Sequence, residues 1–231
     1  MKLLNKGQIY NNIIYIPDTH APFTDMAALK FIAARVKKYK PDLIVMGGDL
    51  LDEKAWSRFP KDSDDYSPHE EFEYAIEVVN SMHDMFPNMH VIMGNHDFRI
   101  AKKAMEAGLT RHIVRELNEV FDCPSWTWHL DPKDKLIVNT KQGPFWMLHG
   151  DEMGGTPVQK SRLVGVSLVQ CHTHQASITY SNTLAHNIVA VESGHCMDVQ
   201  SKGARYAFRQ GRFPVKGFTE IINGQPRFIS L

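Results

Sequence analysis

The stretch VIMGNHDFRI, residues 91–100, decides how this chain is read. A short apolar run stops at Gly94, and three side chains able to bind metal or move protons follow at once: Asn95, His96 and Asp97. Strands normally end in turn residues chosen for backbone reasons. An amide, an imidazole and a carboxylate in a row call for a chemical reason, so the first question is whether other strands end the same way.

Working outward, IIYIP (13–17) is a short apolar run closed by Pro17 and reads as a buried strand. Residues 25–39, DMAALKFIAARVKKY, put Met26, Leu29, Ile32, Ala33 and Val36 on one helical face, with Asp25 near the start and Lys37 and Lys38 near the end. DLIVMGGD (42–49) is the next strand. A polar, aromatic loop spans 53–68, and 69–85 is a second amphipathic helix whose stripe is Phe72, Ile76, Val79 and Met82. MHVIMG (89–94) is the third strand. This β-α-β-α-β order predicts parallel pairing with helices covering the sheet. Later segments read mostly as strands: KLIVNT (135–140), PFWMLHG (144–150), GVSLVQC (165–171), ASITYSN (176–182), HNIVAVES (186–193), GFTEIING (217–224) and PRFISL (226–231). The expected architecture is a mixed α/β fold, more parallel early and more antiparallel late, with two packed sheets and helices outside.

The strand ends share a chemistry. The first gives Asp18 and His20, the second Asp49 and Asp52, and the third Asn95, His96 and Asp97. Strand 144–150 ends at His149, and strand 165–171 is followed by His172 and His174. In open α/β sheets, ligands bind beyond the carboxyl ends of the strands. The spacings Asp-x-His and His-x-His put both side chains on one side of an extended backbone, so each pair can reach one centre. The donors are carboxylate, imidazole and one amide. That set favours Mn, Fe or Zn over the oxygen-seeking Mg and Ca. Seven ligands are too many for one ion with an open position, and suit two ions sharing a carboxylate. Each motif alone has a plainer explanation: Asp18 and Asp49 as helix N-caps, Asn95 as a turn residue. All of them together, in order and each at a strand end, do not.

Composition narrows the class. The 231 residues fit one large domain, taken as 1–231, and 43% apolar residues supply a core. Lys plus Arg and Asp plus Glu are each 26, which excludes a wholesale polyanion binder but not a local basic patch. The N-terminus, MKLLNKGQIYNN, has no apolar segment of the signal-peptide kind, and no apolar run is long enough to cross a bilayer. Three sparse cysteines, Cys123, Cys171 and Cys196, read as reduced thiols in the cytoplasm.

The ordered set Asp18-Thr-His20, Gly48-Asp49-Leu-Leu-Asp52, Gly94-Asn95-His96-Asp97, His149-Gly150 and His172-Thr-His174 resembles the calcineurin-like metallophosphoesterase superfamily. The resemblance implies a four-layer α/β/β/α sandwich with a dinuclear metal site at the strand C-terminal ends. It implies two divalent cations, Mn first, with Fe, Zn, Ni or Co as alternatives. One would be held by Asp18, His20, Asp49 and His174, the other by Asp49, Asn95, His149 and His172, with Asp49 as the bridge. His96 would lie beside the scissile phosphate and Asp97 would orient it. Asp52 reads as structural, holding the loop after Asp49. One departure stands out: the family usually has Gly before His-x-His, and here it is Cys171.

The implied reaction is hydrolysis of a phosphate ester by in-line attack of a metal-bridging hydroxide, with His96 assisting the leaving group. Glu53-Lys54-Ala55 follows Asp52 where the phosphoprotein phosphatases carry Asp-Arg-Gly, which disfavours that branch. Trp56, Arg58, Phe59 and Lys61 in the loop could stack a base and hold a phosphate, or simply pack the loop down. Basic residues gather in 99–115 (Arg99, Lys102, Lys103, Arg111, Arg115) and after 199 (Lys202, Arg205, Arg209, Arg212, Lys216, Arg227). The favoured reading is a phosphodiesterase or nuclease acting on nucleic acid or nucleotides. The alternatives are a phosphomonoesterase and, behind both, a non-catalytic metal-binding scaffold.

Overall fold

A computed structural model describes residues 2–5, 7–58, 60–110, 114–131, 136–183, 187–201 and 213–231. Its strands are β1 (Lys2–Leu3), β2 (Asn12–Ile16), β3 (Leu43–Met46), β4 (His90–Ile92), β5 (Thr127–His129), β6 (Leu136–Thr140), β7 (Gly143–Met147), β8 (Ser167–Gln170), β9 (Ala176–Asn182), β10 (Asn187–Ser193), β11 (Gly217–Ile222) and β12 (Gln225–Ser230). The helices are α1 (Met26–Tyr39), α2 (Pro68–Met85), α3 (Arg99–Glu106), α4 (Leu117–Val120) and α5 (Pro157–Val164).

The strands form two six-stranded mixed sheets, ordered β1-β6-β7-β8-β10-β9 and β12-β11-β2-β3-β4-β5. In the second sheet β2, β3, β4 and β5 are parallel, and β11 joins antiparallel to β2, Ile221 opposite Ile13. In the first sheet β7, β8 and β10 are parallel.

Alternation along the strands builds the layers. Ile14, Ile16, Ile44 and Met46 face α1 and α2, packing on Leu29, Ile32, Val79 and Met82. Their neighbours Ile13, Tyr15, Leu43 and Val45 face the other sheet, meeting Val138, Phe145, Met147 and Val191. On the far face of that sheet Ile137, Trp146, Leu168 and Ala190 meet Val158 and Val164 of α5. The result is the α/β/β/α sandwich.

Helix ends follow local chemistry. Asp25 caps α1, accepting from the N–H groups of Ala27 and Ala28. Ser67 and Glu70 form a capping box at α2. The eight-residue α5 has too short a stripe to stand out in the sequence, yet its boundaries are written there: the Thr156–Gln159 capping box, Pro157 in the first turn and Gly165 in the left-handed conformation. The predicted strands match, except that several are shorter at the C-terminal end than their apolar runs. β2, β3, β4, β7 and β8 end at 16, 46, 92, 147 and 170, so the metal-binding candidates lie in the loops beyond. Phe59, Arg111, Lys202, Arg205, Arg209 and Arg212 lie outside the described residues.

Candidate metal centre

The loops after β2, β3, β4, β7 and β8 converge, and all seven sequence-predicted ligand candidates arrive at one place. Asp18, His20 and His174 form one group, with one candidate ligand atom from each all within 4.8 Å of one another, and Asp49, His149 and His172 form a second. His20 Nε2 is 3.1 Å from His174 Nε2, and His174 Nε2 is 3.3 Å from Asp18 Oδ2. In the second group His149 Nε2 lies 3.1 Å from His172 Nδ1, 3.2 Å from Asn95 Oδ1 and 3.3 Å from Asp49 Oδ2. Asp49 Oδ2 is also 3.9 Å from His20 Nε2, so this carboxylate stands between the groups.

Close approach of the loops depends on two glycines. A Cβ at Gly94 would fall 2.2 Å from Asp49 Oδ1, and one at Gly48 only 2.8 Å from both Gly94 N and His149 Nδ1. The conformation of the donors also differs from the sequence expectation. His20, Asp49, His172 and His174 all have positive φ, from 48° to 71°. Their pairs therefore converge through left-handed turns rather than along extended strands. Non-glycine residues in this region carry strain of about 1–3 kcal/mol each, which the surrounding contacts must offset.

The residues present fit a pair of cations. Burial lowers the pKa of His20 and His172, which keeps their imidazoles neutral and their lone pairs available. His20 Nδ1 is 2.8 Å from Asp52 Oδ1, so its proton is held there and Nε2 is left facing His174. Asp18 Oδ1 is buried with no hydrogen-bond partner among the described residues. Burial alone would raise the Asp18 and Asp49 carboxyls, but neighbouring imidazoles, His174 and His149 for Asp18 and His149 and His96 for Asp49, hold both well below the usual carboxylate range. Imidazole nitrogens gathered about buried carboxylates are a donor set that suits a cation.

His96 lies beside this centre, its Nε2 3.8 Å from Asp49 Oδ2. The carboxylate at its Nδ1 is Asp52, with Asp52 O at 2.8 Å and Oδ1 at 3.1 Å. This corrects the expectation that Asp97 orients His96. Asp97 instead accepts from the N–H of Leu51 at 2.9 Å and of Gly94 at 2.8 Å, so it pins the two loops together. Asp52 is more than a loop brace: one oxygen serves both His20 and His96, and the two rings stand edge-on at 4.6 Å. Arg99 was legible only as one charge in a basic run. Its guanidinium reaches His96 Nε2 at 2.7 Å and the Asp52 carbonyl at 2.7 Å. The signal was its position three residues past His96, at the start of α3.

Cys171 is buried directly after the end of β8. Its thiol sits 3.1 Å from the Tyr15 hydroxyl and 3.3 Å from the Gly47 carbonyl, and burial pushes its pKa up to about 12, so it stays protonated. The left-handed turns fall on His172 and His174. In the 53–68 loop, Trp56 is 39% exposed on a single helical turn (Lys54–Trp56) whose first N–H groups are held by the Glu71 carboxylate. Parts of the basic segments are engaged internally: Lys103 with Glu106, Arg115 with the Glu119 carbonyl, and Lys216 with Asp25.

The family model for calcineurin-like phosphoesterases matches residues 12–189. The chain belongs to that family and is a metal-dependent phosphoric ester hydrolase. The family uses a dinuclear divalent metal centre. Among solved structures, the chain is similar to the phosphoesterase Yfce from E. coli, at 15% identity with TM-score 0.45, covering 92% of this chain and 88% of that one. It is similar to a metallophosphoesterase from Sphaerobacter thermophilus at 14% identity and TM-score 0.45, covering 96% and 88%. It is also similar to Vps29 from Chaetomium thermophilum, at 12% identity and TM-score 0.43, covering 91% and 79%. No curated protein matches the chain in sequence. Among the described residues, no helix is long and apolar enough to cross a membrane.

Proposed function

We propose that the chain is a single-domain, manganese-dependent phosphodiesterase acting on nucleic acid or nucleotides. In this reading Asp18, His20, Asp49 and His174 hold one cation, and Asp49, Asn95, His149 and His172 hold the other. The cations supply Lewis acidity to water and to the phosphoryl oxygens.

The observation that carries the reading is the pairing of His96 Nε2 with Arg99 beside Asp49. A phosphate entering there meets a guanidinium and an imidazole together. Asp52 holds the proton at His96 Nδ1, so Nε2 accepts from Arg99; once the guanidinium turns to the phosphate and His96 is protonated, Nε2 would deliver a proton to the departing alkoxide. Burial and Arg99 oppose protonation of His96, while Asp49 and Asp52 raise its pKa; cations on Asp49 would cancel that residue's share and leave Asp52 as the support. A proton donor for the leaving oxygen matters most when that oxygen leaves as an alkoxide, as from a nucleotide sugar. The exposed Trp56, four residues past Asp52, offers a face on which a base could stack, and the exposed Arg58 follows two residues later. Three free, buried cysteines suit the cytoplasm, where we place the protein.

The test is hydrolysis of bis-p-nitrophenyl phosphate against p-nitrophenyl phosphate by Mn²⁺-loaded protein, followed by a panel of single-stranded DNA, RNA, cyclic nucleotides and nucleoside monophosphates. The diester and at least one nucleic-acid substrate should turn over faster than their monoester counterparts. Preference for monoesters throughout would replace this reading with a phosphomonoesterase.

A further inference from the structure

A cavity of about 200 Å³ adjoins the loop that carries His96. Its wall is apolar, built from Phe72 of α2, Met93, Phe98 and Ile100 at the start of α3, Val120 of α4 and Leu130. Three carboxyl groups interrupt that wall: Glu53 and Asp97, both buried, and the exposed Glu116. Asp97 is satisfied, since each oxygen accepts a backbone N–H. Glu53 is not. It is 6% exposed, its Oε2 accepts from the Ile100 N–H at 3.0 Å, and its Oε1 is buried with no partner among the described residues.

A purely structural role for Glu53 needs only the oxygen that tethers the first turn of α3. It leaves unexplained a second oxygen buried without a donor, an arrangement that costs stability. It also leaves unexplained why residue 53 takes a left-handed conformation, φ 49°, that a non-glycine side chain adopts only under constraint. An apolar cavity with one unsatisfied, fixed polar atom has the form of a small-molecule site: the apolar wall provides affinity and the polar atom fixes orientation. The acids of the wall select the head group, because a cationic head group draws the proton off Glu53 and pairs with the carboxylate it leaves. Among the described lining residues the two buried ionisable ones are both acids, and the basic Arg115 is exposed.

We propose that this cavity binds a small apolar molecule bearing a primary amine, with the amine donating to Glu53 Oε1 and the apolar body seated among Phe72, Met93, Phe98 and Val120. The site is separate from the metal cradle and shares only the loop between them. An occupant would touch Asp97, next in sequence to His96.

The test is calorimetric titration of metal-loaded protein with phenethylamine, 2-phenylethanol and phenylacetate. The amine should bind at least about tenfold more tightly than the alcohol, and phenylacetate should not bind measurably. Glu53→Gln should shrink the amine's advantage to about threefold or less while the alcohol still binds. Ala101→Leu, which fills the cavity from α3, should abolish binding of both; Val120→Phe serves the same purpose if Ala101→Leu does not fold. No binding of the amine, equal binding of amine and alcohol, or binding that survives cavity filling would overturn the proposal. The last outcome would mean the amine had bound at the metals instead.

Discussion

Asp52 and Glu53 are neighbours in sequence, and both side chains are buried, yet they belong to opposite environments. Asp52 faces the metal cradle. Burial pushes its carboxyl up, but His20 and His96 outweigh that and hold it well below the usual range. Glu53 faces the apolar cavity, where burial and the adjacent Asp97 push it up to about 8. The next pair of neighbours repeats the contrast. His96 turns toward Asp49 and Asp52, while Asp97 turns away and is raised to about 7 by burial and by Asp49. Desolvation is common to all of these acids. What differs is whether the neighbouring imidazoles are close enough to outweigh burial, as at Asp52, or are outweighed by burial and another carboxyl, as at Glu53 and Asp97. Two short loops thus separate a charged, cation-demanding chamber from an apolar one within a residue's length.

The largest way to break the contrast is to remove the carboxylate between the two ligand groups. Asp49→Asn should empty both cation sites and reduce bis-p-nitrophenyl phosphate hydrolysis by more than the roughly 100-fold seen for outer-shell losses. Elemental analysis and turnover read this directly; retention of two metals would show that Asp49 is not the bridge. His96→Ala should leave metal content unchanged and lower diester turnover by about 10²–10⁴-fold, the usual range for a proton-transfer residue. Loss of metal would instead make His96 a ligand. Asp52→Asn should cost about 10–100-fold, because it loosens both His20 and His96. The same change at Asp97 should leave metal content intact and act through loop stability, seen in melting curves. If Asp97→Asn lowers kcat while leaving the melt unchanged, the roles of the two acids are reversed.

The smallest effect probes the apolar side. Unfolded, Glu53 releases its proton near 4.5; folded, it holds it to about 8. Between these values the unfolded chain binds fewer protons, so this residue makes stability fall as pH rises. In Glu53→Gln that contribution disappears. The variant's melting temperature relative to the parent should therefore climb steadily from pH 5 to pH 8. A difference that does not change with pH would show that Glu53 ionises normally.

Much of this was legible in the sequence because strand, turn and ligand are local. The runs 13–17, 42–49 and 89–94 mark β2, β3 and β4, and the donors at and after their ends are read one by one. Other features were hidden because they depend on residues far apart. Asp52 and Asp97 follow the same kind of strand end, and nothing local tells which carboxylate points at His96. Arg99 looked like one of several surface charges until α3 began at that residue and turned it onto the imidazole.

The sequence by itself determined the class of fold, the family and the set of donors, since periodicity and donor chemistry are properties of short segments. Only the tertiary structure decided which donors group together, which acid serves His96, and that β11, over two hundred residues along the chain, completes the sheet beside β2. Those outcomes depend on chain crossings and left-handed turns that bring distant loops within hydrogen-bond range, and no local preference encodes that distance.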